Sequence, residues 1–465
     1  MNSGIRAKLF AMMVLEFFIW GAWLPLIFGY LPSLGFSAEK PPAELQGFFN
    51  ILPGFLQVLF SEQAMILNAF PIAAIVGMFF SNQFADRNFA AERFLSFSHI
   101  VGGLAILGCG FTKSFWPFYG LMLLHCLLYV PTISITNSIA FANMKDAQKE
   151  FGIIRMGGTI GWIMAAWPFV FIFVDWSKVP AMGEAGFTGW LSAVFGNPLT
   201  GDAANGLTRY TYVVAGVASM LLALLSLTLP HTPPKKAGEG GAQSLAWLEA
   251  VKLLKHPFVL ILWIVTFADS FVHNCYFNWT GQFLGASPEV GGVGIEARWI
   301  MPIMSIGQVA EILTMFILGA TLVKLGWKTT MVIGILGHAA RFAVYAFFPQ
   351  SASLIITVQI LHGICYAFFF ATVYIFVDAY FPKDVRSSAQ GLFNVMVLGL
   401  GALVANSICP FLLQNKFTHD GVVDFKGLFL VPCFVALAAA VVLAIAFHPP
   451  KSVAATAGEG GSAPH

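Results

Sequence analysis

Charge is what this chain has least of. Asp, Glu, Lys and Arg make up 10% of its 465 residues, against about 25% in an ordinary soluble domain. With 58% hydrophobic residues beside that shortage, a water-soluble globule is excluded. The formal net charge of +2 offers no strongly basic face, so no nucleic-acid partner is indicated. Cysteine is scarce as well. Cys109, Cys126, Cys275, Cys365, Cys409 and Cys433 all fall in apolar runs without metal-ligand spacing, and they read as small packing residues. No phosphate-cradling glycine loop, catalytic triad or metal cluster occurs. Their lack argues against an ATP-driven pump, an enzyme and any cofactor.

What is present is length without polarity. Apolar runs of about 20 residues, enough to cross a bilayer as a helix, recur twelve times: at 8–31, 63–84, 95–112, 115–143, 153–174, 210–230, 257–284, 298–322, 329–348, 352–380, 388–413 and 427–448. The expected fold is an all-α integral membrane protein of twelve transmembrane helices with the lipid bilayer around it. The first run outlasts a signal-peptide core and has no small-residue cleavage pattern after it, so it counts as a span. Orientation follows from Lys and Arg, which gather in cytoplasmic loops. Placing the N-terminus inside puts fifteen of them, from Arg6 to Lys451, on the cytoplasmic side and seven, from Lys40 to Lys426, on the other. Both termini are therefore expected in the cytoplasm.

Composition shifts sharply at HTPPKKAGEGGAQS, residues 231–244. The chain divides there into an N-terminal six-helix half (1–230), a cytoplasmic linker with a short amphipathic helix (231–256), a C-terminal six-helix half (257–448) and a disordered tail (449–465). Two pseudo-symmetric halves in parallel repeat, with a substrate site near the midplane between them, are the architecture of the major facilitator superfamily. Asp86 and Arg87, in ADRNFAAERFL after the second span, resemble that superfamily's gating loop, in which carboxylate and guanidinium clasp neighbouring helix ends. They serve equally well as topology-setting charge. The long exterior loops, 32–62 and 175–209, read as a lid or as interfacial segments.

Polar residues inside the spans carry the functional signal, because an ionisable side chain in hydrocarbon costs several kcal/mol and is usually kept for an internal cavity. On the fifth span Arg155, Thr159 and Trp162, spaced i, i+4 and i+7, set a cation, a hydroxyl and a large ring on one face. Gly157, Gly158 and Gly161 let another helix approach. Arg155 can alternatively snorkel to the interface. On the eighth span Gln308 and Glu311 share a face able to read sugar hydroxyls or base edges; the alternative is an ion pair of Glu311 with Arg155, Arg298 or Arg341. On the seventh, Asp269, His273 and Asn274 offer a proton relay. The tenth presents His362, Tyr366 and Phe370, the last read as packing, and the first Glu16, Trp20 and Trp23. Glu311, Glu16, and Asp269 with His273 are the proton-coupling candidates.

The motifs EFFIWGAWLP, ADRNFAAERFL, YVPTISITNSIAF, RMGGTIGW, SIGQVAE, LHGICYAFFF and VRSSAQGLF follow one another along most of the chain. Together they resemble the nucleoside:proton symporters of the major facilitator superfamily, the bacterial nucleoside permeases. The resemblance implies import of nucleosides with protons by alternating access, at a bacterial inner membrane, with binding groups at Arg155, Thr159, Trp162, Asn274, Gln308, Glu311, His362 and Tyr366. A monomer is expected. One departure stands out: where the family has an acid after the aromatic of the tenth span, this chain has Ala367. If that acid carries the proton, another group serves here or the protein is a nucleoside uniporter. A sugar or oligosaccharide symporter of the same fold and a non-transporting membrane sensor are the alternatives. Substrate flux separates the sensor from the carriers, and competition between nucleosides and sugars separates the carriers from each other.

Overall fold

In hydrocarbon a backbone amide finds no water, so an apolar chain must satisfy itself as helix. The described part of each apolar run does so in the structure, a computed structural model that describes residues 3–77, 89–144, 147–233, 251–381, 389 and 392–449. In order, the spans are Ser3–Ser33, Glu62–Gly77, Ala91–Cys109, Phe115–Asn143, Ile153–Ile172, Tyr210–Ser226, Pro257–Gly285, Ala297–Phe347, Ala352–Val377, Leu392–Lys416 and Phe425–Ala446. The 51 residues of Ala297–Phe347 are two spans joined at Gly326, where φ is 72°, between the expected eighth and ninth runs. Among the described residues this gives twelve helices in the order of the expected runs, with nine segments long and apolar enough to cross a membrane. Asp86 and Arg87, linker residues 234–250 and tail residues 450–465 lie outside the described residues.

Burial follows the two sequence halves. One large apolar core draws its buried residues from Leu9 to Leu229, and a second from Phe258 to Phe447. Apolar side chains such as Phe316, Leu313, Leu224 and Ile445 stay exposed on the outside, as a lipid-facing belt requires. The loop at 32–62 holds short helices, Ala43–Phe49 and Gly54–Gln57, and leaves Phe48 and Ile51 exposed. The loop at 175–209 folds as Met182–Gly196 and Gly201–Leu207.

Small residues set the closest helix crossings. A Cβ on Gly161 would stand 2.0 Å from the Val14 carbonyl oxygen, so the first and fifth spans touch backbone to backbone there. At Gly363 a Cβ would lie 2.2 Å from both the Glu311 amide nitrogen and the Gly307 carbonyl oxygen. The eighth and tenth spans thus meet beside Glu311, with no room for a side chain between them.

Where the linker leaves the first half, the third span holds it. Glu92 Oε1 bonds His231 Nδ1 at 2.8 Å, Glu92 Oε2 accepts from the Thr232 amide at 3.0 Å, and the Ala91 amide donates to the Thr232 carbonyl at 3.0 Å. Burial pushes the Glu92 carboxyl up, but the bonds from Thr232 and His231 outweigh it and hold the group below its ordinary 4.5. A depressed acid contributes its stability fully above the ordinary value and loses it as pH falls through the lowered one. Thermal unfolding in detergent should therefore weaken on acidification below pH 4.5, and Glu92→Gln should unfold earlier than wild type at pH about 7 and lose less on acidification. Equal melting of variant and wild type at both pH values would contradict the clasp.

Candidate functional site

Between the halves, Gly21 and Pro25 of the first span, Trp162 and Ala166 of the fifth, Tyr276 and Phe277 of the seventh, and Met301, Met304, Ser305 and Gln308 of the eighth line a narrow cavity. Local sequence explains its polarity. Pro25 has no N–H, so the Gly21 carbonyl four residues before it loses its usual helical donor at the cavity wall. Gln308 is buried, and its Oε1 has no hydrogen-bond partner. Buried acceptors are nearly always satisfied, so an orphan on a cavity wall marks where a ligand or water belongs. Aromatic rings and the Met301 and Met304 side chains supply much of the remaining wall. Trp162 meets Trp20 edge to face at 5.3 Å and Phe277 at 6.2 Å, while Trp20 stacks on Phe70 at 4.6 Å. The indole Nε1 of Trp20 is buried without a partner too.

The sequence-derived residues distribute unevenly around this space. Arg155 lies over the Phe17 ring at 4.1 Å and within electrostatic reach of Glu311, and both reach Tyr366. The fifth, eighth and tenth spans therefore bring a cation, an anion and a phenol together. Of the other two arginines considered for Glu311, Arg298 instead pairs with Glu296 at 2.9 Å and donates to the Val194 and Phe195 carbonyls, and Arg341 bonds His338 and His362. Thr159 is half-buried one turn from Arg155. Tyr366 opens a π-helical turn, Tyr366–Ala371, closed by Thr372 Oγ1 donating to the Ala367 carbonyl; such turns often re-aim side chains at functional sites. His362 stacks on Tyr276 at 4.2 Å and on His273 at 4.8 Å.

Three expectations are placed differently. Asn274 Nδ2 donates to the Ser270 carbonyl of its own helix and is not among the cavity-lining residues; Tyr276 and Phe277 present the seventh span there. Glu16 sits inside the first half, where it accepts from Thr132 Oγ1 at 2.8 Å and meets His99 Nε2 at 3.1 Å. Asp269 and His273 do not form a pair. The i, i+4 spacing puts them on one face, but the His273 ring turns sideways onto His362 and Phe370, and Asp269 faces His338 of the ninth span at 3.6 Å.

His338 and His99 carried no signal singled out in the sequence, and Arg341 entered there only as an ion-pair alternative for Glu311, although it met the criterion that singled out Arg155, a charge inside an apolar run. An internal repeat also pointed at these layers: LHCLLYV at 124–130 and LHGICYA at 361–367 occupy the fourth helix of each half.

A family model for the nucleoside H+ symporter matches residues 3–44, 48–184 and 174–452. The chain belongs to the nucleoside H+ symporter family. It is a nucleoside transporter, not an enzyme, with the major facilitator fold. YegT, a candidate nucleoside transporter of Escherichia coli strain K12, is 28% identical over 418 residues, covering 89% of this chain and 86% of that protein. Xanthosine permease of the same strain is 26% identical over 466 residues, covering 97% and 98%. The crystal structure of the nucleoside transporter NupG superposes with a TM-score of 0.74 at 22% identity, over 97% of this chain and 100% of that one.

In this symporter the described hydrogen bonds between the halves gather on the side assigned to the exterior. Gln63 and Gln414 exchange amide bonds at 3.2 and 3.0 Å, Asn68 donates to Ser407 at 2.8 Å, Asn406 to the Leu67 carbonyl at 3.0 Å, and Gln282 to the Phe28 carbonyl at 3.1 Å. These neutral contacts are worth about 1 kcal/mol each, and two charged groups join the halves on the same side, Arg298 on the Val194 and Phe195 carbonyls and Glu39 accepting from Asn415 Nδ2 at 3.0 Å. Cysteines replacing both Gln63 and Gln414 should form an oxidant-dependent crosslink that stops uptake and is reversed by reductant. Full transport by the crosslinked protein would show that this seam need not open.

Proposed function

We propose that the chain imports nucleosides together with protons across a bacterial inner membrane, as a monomer with both termini cytoplasmic, by alternating access of the cavity between its halves. The observation that carries this reading is the unpartnered Gln308 Oε1 in an aromatic-walled cavity, next to the Arg155, Glu311 and Tyr366 group. A nucleoside has the matching parts. Its base offers a face for Trp162 or Phe277 and edge donors for the Gln308 amide, and its ribose hydroxyls can donate to the Glu311 carboxylate. Arg155 offsets the Glu311 charge and Thr159 extends the same polar face. His362, stacked behind Tyr276, and Tyr366, beside Glu311 and Arg155, are the tenth-span groups assigned to the site. Asn274 is assigned a supporting place on the seventh helix, and Asp86 with Arg87 a gating role at the cytoplasmic side. The division into halves at 231–256 is the hinge of the motion.

The test is uptake of labelled uridine and adenosine into proteoliposomes with and without an inward proton gradient. Accumulation that collapses with a protonophore and resists excess sugar is the expected result. Flux inhibited by sugars and not by nucleosides would overturn the substrate, and equilibration without accumulation would overturn the coupling. Glu311→Gln removes a charged acceptor worth about 1.5–3 kcal/mol, so its KM for uridine should rise roughly ten- to a hundredfold; an unchanged KM would take Glu311 out of the site.

A further inference from the structure

Behind the cavity wall the C-terminal half holds a second buried cluster. Arg341 is 0% exposed. Its Nη1 donates to His362 Nδ1 at 2.8 Å and its Nη2 to His338 Nδ1 at 3.0 Å, and the guanidinium lies 4.4 Å from the Tyr276 ring centroid. A guanidinium only donates, so both Nδ1 atoms accept and each ring carries its single proton at Nε2. Neither ring can take a second proton without breaking its bond to Arg341. Asp269 is different. It too is 0% exposed, neither carboxyl oxygen has a hydrogen-bond partner, and Oδ2 stands 3.6 Å from the equally unpartnered His338 Nε2.

The other half supplies a comparison. There the acid of the first helix, Glu16, meets the histidine of the third, His99, at 3.1 Å, with Thr132 Oγ1 on the other oxygen at 2.8 Å and Ser219 Oγ on His99 Nδ1 at 2.9 Å. Asp269 and His338 are the equivalent pair on the seventh and ninth spans. The first pair is closed and filled by neutral hydroxyls; the second is open, has both oxygens free and carries a fixed positive charge. The groups facing Asp269 are His338 and Arg341 from the ninth span and the Cys365 thiol from the tenth, while His273 on its own helix turns to His362 and Phe370. The eleventh and twelfth spans, packed on the seventh, have their charges Lys416 and Lys426 only at their exterior ends.

We propose that Asp269, facing His338 and linked through Arg341 to His362, which stacks on Tyr276 of the cavity wall, is the proton-carrying group of this transporter. The proposal rests on the nucleoside-symport reading above. The step is a proton transfer alone: an O–H bond forms at Asp269 with a proton taken from water on the exterior side and breaks with its return to water on the cytoplasmic side. Ionised, the carboxylate draws the His338 Nε2–H and competes for Arg341. Protonated, it releases both, and Arg341 holds His362 more firmly against Tyr276, a residue of the cavity wall. Occupancy of the proton site is thereby felt at Tyr276 in the wall of the substrate cavity. Ala367, in the place where the family resemblance puts an acid, is buried against Leu318 and Phe368, so the proton site has moved to another helix.

The experiment compares wild type, Asp269→Asn and Asp269→Glu in proteoliposomes, measuring uridine accumulation under a one-unit inward pH gradient and uridine–uridine exchange without a gradient. For one proton per nucleoside a pH unit supports about tenfold accumulation. Wild type should approach that ratio, Asp269→Asn should stay near one while still exchanging, and Asp269→Glu should recover accumulation with a shifted pH profile. Accumulation by Asp269→Asn equal to wild type would overturn the assignment while leaving nucleoside symport intact. Absence of any uridine or adenosine flux in wild type would instead overturn the reading on which it rests. If Asp269→Asn does not fold, His338→Asn carries the same comparison: a ratio near one with exchange retained supports the relay, and wild-type accumulation overturns it.

Discussion

Arg341 cannot shed its proton, so the ninth span carries a permanent positive charge at a depth where lipid would leave it unsolvated. Two imidazole nitrogens, the Tyr276 face and the nearby Asp269 carboxyl answer that charge. Each answer costs something elsewhere. His362 must present Nδ1 to the arginine, which fixes its tautomer and its stack on Tyr276. Tyr276 in turn is fixed by its hydroxyl on Gln359, which is itself held by Tyr345. A cavity wall is thereby oriented by a charge that does not line it.

The interface between the halves follows a different physics. Most of its hydrogen bonds are neutral amide and hydroxyl contacts, individually weak, and they can be exchanged for water at modest cost; Arg298 on the Val194 and Phe195 carbonyls and Asn415 on Glu39 add charged ones. Within each half the contacts are of the opposite kind, backbone against backbone at Gly161 and Gly363 and broad aromatic packing elsewhere. Rigid halves with a seam made mostly of weak contacts suit rocking motion, and the Glu16 and Arg341 clusters each lie within one half, where motion does not strip them of partners.

The fold was legible because bilayer solvation leaves one solution for an apolar run: the described part of each of the twelve runs forms helix, and the turn at Gly326 is sharper than the gap between runs suggested. The cation, amide and carboxylate faces at Arg155, Gln308 and Glu311 were legible for a related reason, since helical spacing alone decides which residues share a face. Partners on different helices were not. The i, i+4 spacing of Asp269 and His273 is the same whether or not the rings meet, and the structure gives Asp269 to His338, 69 positions along the chain. Glu16 shows the same limit. Its intramembrane position was visible, but its enclosure by His99 and Thr132 depends on how the first, third and fourth helices pack. Asn274 bonds its own helix, a choice periodicity does not express.

Location of the substrate is the claim from which the rest follows. Photolabelling with a radioactive azido-adenosine, followed by peptide mapping, tests it directly. The account predicts adducts on the fifth, seventh, eighth or tenth spans, at or next to Trp162, Phe277, Gln308 and Tyr366, and protection by unlabelled adenosine. Adenosine-protected labelling confined to the exterior segments 32–62 or 175–209 would contradict it.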